Sequence, residues 1–216
     1  MTNIAGSVIE RVAIIDDEAG VRAAYRLELE QEFEPHIEDG PLGLLDTCVK
    51  RMKSHVDAAL CDHKLTSRSN YATYDGAKLA AALNQSSLPA VLCTRYEPAK
   101  LEEIRRYRPH IPVLLHPDEF SQETFRYALE TTIRELQGEF TQWRRPWRAQ
   151  VHIEDVEDQW LYVRIPARDE NKLIRLDKSD LPMELQNRIQ PDRRLYAMVN
   201  VGADHSRDLY FMDWES

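Results

Sequence analysis

The chain has 216 residues and a formal net charge of -9, enough for one large domain or two small ones with cores of useful size. That acidic balance argues against a general polyanion binder, whose affinity comes from Lys and Arg neutralising phosphates. Three cysteines, Cys48, Cys61 and Cys93, have no metal-type spacing and their odd number gives no disulfide framework, which fits a reducing, cytoplasmic compartment, and neither a basic leader nor a run of ~18 apolar residues points to a membrane.

In chain order, Arg11 to Asp17 (RVAIIDD) is a short apolar run that ends in two adjacent carboxylates, followed by Glu18. Such a run reads as a buried parallel strand. Acids at its carboxyl end lie where open α/β sheets bind ligands, and clustered carboxylates repel unless a proton or cation intervenes. Mg²⁺, a hard cation, is the natural neutraliser. Glu18 to Gln31 carries helical spacing, Phe33 to Glu38 is a weaker strand candidate, and Leu42 to Ser54 is helical again through Leu45, Val49 and Met52.

Val56 to Cys61 repeats the first pattern and ends in a single acid, Asp62. A long polar loop follows and resolves into a helix from about Asp75. Leu88 to Cys93 ends in Thr94, Pro98 opens a helix to Arg108, and Ile111 to Leu115 ends in His116-Pro117. The last helix of this region is expected from Ser121 to Gln137. Five β-α repeats imply a parallel sheet covered by helices. Cys61 and Cys93, level on neighbouring strands, read as small buried hydrophobes rather than a thiol switch.

Paired acids after the first strand, one Asp after the third, a hydroxyl after the fourth and a basic residue with Pro after the fifth resemble the receiver domain of two-component response regulators, over roughly residues 8–138. The resemblance implies a five-stranded parallel flavodoxin-like fold for residues 1–138. It implies phosphoryl acceptance at Asp62, Mg²⁺ held by Asp16, Asp17 and Asp62, and a switch made by Thr94 and His116. Gly76 looks like the glycine that opens the family's third helix. The implied partners are a sensor histidine kinase or another signalling protein, with a homodimer through the surface of Pro98 to Arg108, Ile111 to Leu115 and Ser121 to Gln137. The sequence departs from the family where His116 replaces the usual Lys, Val113 stands in place of an aromatic, and Thr66 in place of a Pro in the loop after the acceptor. Such departures characterise atypical or pseudo-receivers. They open an alternative, an adaptor or scaffold regulated without phosphorylation. A phosphohydrolase is disfavoured because His63-Lys64, not a second Asp, follows Asp62.

From Glu139 the character changes. Residues 139–146 read as a linker that packs as a junction, and 147–216 as a small all-β, barrel-like domain of five short alternating strands, with a short helix at Leu181 to Ile189. Arg164, Arg168, Lys172 and Arg175 among surface aromatics are compatible with single-strand stacking. The neighbouring acids make a protein-interaction or packing module the preferred reading, with nucleic acid disfavoured. No helix-turn-helix element is evident.

Overall fold

The structure, a computed structural model, describes residues 1–67, 70–95 and 103–215. The chain divides into two compact units, Met1–Tyr96 with His110–Glu139, and Glu97–Pro109 with Phe140–Ser216. Among the described residues no helix is long and apolar enough to cross a membrane.

The first unit opens with a hairpin of β1 (Thr2–Ile4) and β2 (Ser7–Ile9). Its two loop residues, Ala5 and Gly6, have φ of 47° and 81°, the left-handed backbone that two-residue hairpin loops need to match strand twist. Ile4 and Ile9 turn inward and join the core. Sequence reading did not anticipate this hairpin, because strands of three residues carry too little period to register.

Five parallel strands follow: β3 (Arg11–Ile15), β4 (Glu34–Glu38), β5 (Ala58–Asp62), β6 (Ala90–Cys93) and β7 (Leu114–Leu115). They are ordered β4-β3-β5-β6-β7. Counted along the chain within this sheet the order is 2-1-3-4-5, the flavodoxin-like doubly wound arrangement. Val12 to Ile15, Ala58 to Cys61 and Ala90 to Cys93 are buried throughout, which is why these strands read as unbroken apolar runs. The connecting helices are α1 (Ala19–Leu29), α2 (Leu45–His55), α3 (Gly76–Gln85) and α4 (Gln122–Leu136). Val12, Ile14, Leu60 and Val91 pack with Tyr25 and Leu29 of α1 and with Phe125 and Leu129 of α4. A capping box sets the start of α4: Ser121 Oγ accepts from the Thr124 backbone N–H, and Thr124 Oγ1 accepts from that of Ser121.

Two expected elements differ. The run Ile111 to Leu115 pairs only at Leu114–Leu115, because Pro112 has no N–H to give a ladder. Of the helix expected from Pro98 to Arg108, residues 98–102 lie outside the described residues; the described remainder ends in a 3-10 turn, Arg105–His110, that contains Pro109. Residues 103–109 belong to the second unit, so the surface expected to support a homodimer is divided between the two.

The second unit is built on β8 (Trp147–Val156), β9 (Trp160–Ile165), β10 (Asp169–Asp177), β11 (Arg194–Val199) and β12 (Phe211–Glu215). They form an antiparallel sheet ordered β10-β9-β8-β11-β12. Period-two burial puts Ala149, Val151, Ile153, Leu161, Val163, Leu195, Ala197 and Val199 in one core. On the other face Arg148 stacks over Tyr196 at 3.9 Å and Arg175 over Trp160 at 4.3 Å. The expected helix at Leu181 to Ile189 contains one turn, α5 (Met183–Gln186); Leu181 and Ile189 at its ends reach the core instead.

Arg105 is 1% exposed within this second unit. Its guanidinium donates to the carbonyl of Arg175 at 2.9 Å and lies 3.7 Å from the Asp180 carboxylate. Burial pushes Asp180 up to about 6 even with that guanidinium beside it. In the same unit Arg144 donates to the Arg108 carbonyl at 3.1 Å, and its ring partner Tyr210 donates to the Arg144 carbonyl at 2.5 Å.

Candidate functional site

The strand order of the parallel sheet reverses between β3 and β5, and ligands of such sheets bind beyond the carboxyl ends of the strands at that point. The register brings the expected residues there. Ile15 pairs with Cys61, so Asp16 follows level with Asp62; Cys93 pairs with Leu115, so Thr94 follows level with His116. A cavity of about 290 Å³ opens at this edge, lined by Asp16, Asp17, Glu18, Val21, Tyr25, Asp62, Lys64, Ser67, Thr94, Arg95 and Pro117. That volume far exceeds the ~30 Å³ share of one water. Asp16, Asp17, Asp62 and Thr94 therefore share one hollow.

His116 is placed differently. Its Nδ1 accepts from the Asp118 backbone N–H at 3.3 Å and lies 3.6 Å from the Asp118 carboxylate. It thereby caps the short 3-10 turn Pro117–Glu119. Among the described residues, Pro117 rather than His116 lines the cavity from this strand.

Asp16 and Asp62 are each held by the backbone two residues on. Asp16 Oδ1 accepts from the Glu18 N–H at 2.6 Å, and Asp62 Oδ2 from the Lys64 N–H at 2.7 Å. The Asp16 carbonyl accepts from Arg22 Nη1 at 2.6 Å, while Arg22 Nη2 donates to Asp39 at 2.9 Å, so a buried guanidinium on α1 clamps the acidic turn. Burial first, and then the charges of Asp62, Asp17 and Glu18, push the Asp16 carboxyl up to about 6. Burial also raises Asp62, against the lowering effect of hydrogen bonds from the Lys64 and His63 backbones. Carboxylates so crowded favour a proton or a cation.

Gly76 lets the start of α3 pack against the Asp62 backbone. A Cβ there would lie 1.6 Å from the Asp62 carbonyl oxygen and 3.2 Å from His63 Cα, and its N–H donates to the His63 carbonyl at 2.8 Å. The helix start and the strand end touch backbone to backbone, which only glycine permits.

Among the described residues no three His, Cys, Asp or Glu side chains are grouped as a ready metal-holding set. Mg²⁺ does not require one, since it keeps several waters and takes one or two carboxylates. The donor chemistry of Asp16, Asp17 and Asp62, with the raised Asp16 carboxyl, fits such an ion.

The residues that sequence reading missed here are Tyr25, Lys64, Ser67 and Arg95. Tyr25 was legible as an inward position on α1; its hydroxyl meets Cys93 Sγ at 3.4 Å. Lys64 and Arg95 each follow a strand end by two residues, and only their position past Asp62 and Thr94 marked them.

The chain matches no family model, and a search of curated proteins returns no match. Solved structures similar to it include a response regulator receiver domain protein from Clostridium thermocellum, 11% identical with a TM-score of 0.45, covering 61% of this chain and 100% of that one. The N-terminal domain of a response regulator/sensory box/GGDEF protein from Carboxydothermus hydrogenoformans is 19% identical with a TM-score of 0.44, covering 60% and 98%. Chemotaxis protein CheY4 of Vibrio cholerae is 16% identical with a TM-score of 0.40, covering 62% and 100%. With scores and identities at this level, the fold assignment rests on the strand order and register of the sheet.

Proposed function

We propose that this chain is a response-regulator-like signalling protein whose first unit accepts a phosphoryl group on Asp62. The observation that carries the reading is the meeting of Asp16, Asp17, Asp62 and Thr94 in one cavity at the switch point of the sheet. In the transfer, an Asp62 carboxylate oxygen attacks the phosphorus of a donor, an acyl phosphate or a phosphohistidine of a kinase. A P–O bond to Asp62 forms, the donor's P–O or P–N bond breaks, and the leaving group keeps the electron pair. Asp16 and Asp17 would hold Mg²⁺ with Asp62; bound there, the ion neutralises charge on the phosphoryl oxygens. Thr94 O–H can donate to a phosphoryl oxygen, and a hydroxyl drawn to that group favours one arrangement of the chain that follows it.

The test is incubation of the full chain with acetyl phosphate and Mg²⁺, followed by intact-mass analysis. One added phosphoryl group is expected, absent from Asp62→Asn. An unlabelled wild type, or a label that survives Asp62→Asn, removes this reading.

One observation favours a second reading, a phosphorylation-independent adaptor: the side chain at the end of β7 is an imidazole engaged with Asp118. On that reading Asp62→Asn leaves partner binding unchanged, and comparing partner affinity of wild type and variant with acetyl phosphate present separates the two.

A further inference from the structure

Resting on the phosphoryl-acceptor reading, we infer that the positive charge meeting a phosphoryl group on Asp62 comes from Lys64 and Arg95, on the loops after β5 and β6, and not from the end of β7. Both side chains line the cavity that holds Asp62, whereas His116 does not. β7 is two strands from β5, about 10 Å at the usual spacing. An imidazole is shorter than a lysine stem, and this one turns to its own 3-10 turn.

The Lys64 backbone is held, and Arg95 follows a residue that is held. The Lys64 N–H is bound to the acceptor carboxylate itself, and the next residue, Leu65, is fully buried. Arg95 follows Thr94, which is buried and whose N–H donates to the Leu115 carbonyl at 2.9 Å. Lys64 thus starts beside the Asp62 carboxylate and Arg95 beside Thr94, and both line the cavity a phosphoryl group would enter. Four carboxylates, Asp16, Asp17, Glu18 and Asp62, line the same hollow. An arriving phosphoryl group adds to that negative charge, and charge-assisted donors offset it best.

The experiment compares full-length wild type, Lys64→Gln/Arg95→Gln, the charge-retaining Lys64→Arg/Arg95→Lys, and His116→Gln. Both cationic residues are exposed, so folding should persist, and thermal melts check it. Two quantities are read. Without any donor, Mg²⁺ titration should show several-fold tighter binding in the charge-removing pair, since two repelling cations are gone. With acetyl phosphate, labelling of the same variant should slow by about tenfold to a hundredfold. The charge-retaining pair should stay near wild type in both, and His116→Gln within about twofold. The inference is overturned if the charge-removing pair takes label at the wild-type rate, whatever His116→Gln does, or if His116→Gln slows labelling as much as that pair. If wild type neither binds Mg²⁺ nor takes label at Asp62, the acceptor reading fails and this inference falls with it, a result distinct from a working wild type with indifferent Lys64 and Arg95.

Discussion

Gly76 and Asp16 show how single residues set this site. A methyl group at position 76 would collide with the Asp62 carbonyl at 1.6 Å, and backbone cannot yield as a flexible side chain can. Gly76→Ala is therefore expected to cost about 1–3 kcal/mol, as overpacking does; an unchanged urea midpoint would contradict this. Asp16 carries a pH signature. Its carboxyl moves from 3.8 when unfolded to about 6 when folded, chiefly through burial. A folded value above the unfolded one means the native state holds the proton more tightly. The stability this confers is fully present below about pH 4 and is lost as pH rises through about 6, amounting to at most about 3 kcal/mol. Urea midpoints in chelator across pH 4 to 7 should fall in wild type and fall less in Asp16→Asn, which can still accept the Glu18 N–H. Equal slopes would show that Asp16 is not the group responsible.

At the scale of elements, what could be read from sequence follows from burial. β3, β5 and β6 each carry four consecutive buried apolar residues and are followed or ended by a polar one, so their runs and Asp16, Asp62 and Thr94 stood out together. The strands of the second unit were legible through alternation, one face apolar and the other carrying Arg148, Tyr196 and Arg175. What sequence could not show was partnership at a distance. Arg105 reads as a polar position on an amphipathic helix, yet it is buried against Asp180 and the Arg175 carbonyl. Likewise nothing local to His116 told that its ring would cap Pro117–Glu119. The Arg105–Asp180 pair has its own expected outcome: Arg105→Ala should cost about 3–5 kcal/mol, because it leaves a buried carboxylate without its cation. A double-mutant cycle with Asp180→Asn, read by chemical denaturation, should recover part of that cost through non-additivity. Strict additivity would mean the two side chains do not interact.

Over the whole molecule, the second unit is discontinuous in sequence, taking Glu97–Pro109 from between two stretches of the first. Arg105 and the Arg108 carbonyl that receives Arg144 are both in this inserted piece. Residues 140–216 expressed alone should accordingly lack a cooperative thermal transition, while the full chain keeps one; a sharp melt in the fragment would show that the inserted piece is dispensable. The arrangement bears also on how such a protein can be inherited. A domain encoded by one unbroken stretch can be copied behind a new neighbour in a single recombination event. Here the same event would strand Asp180 in an apolar interior without its guanidinium, so the two halves of this gene are expected to travel through evolution together, diverging as one unit.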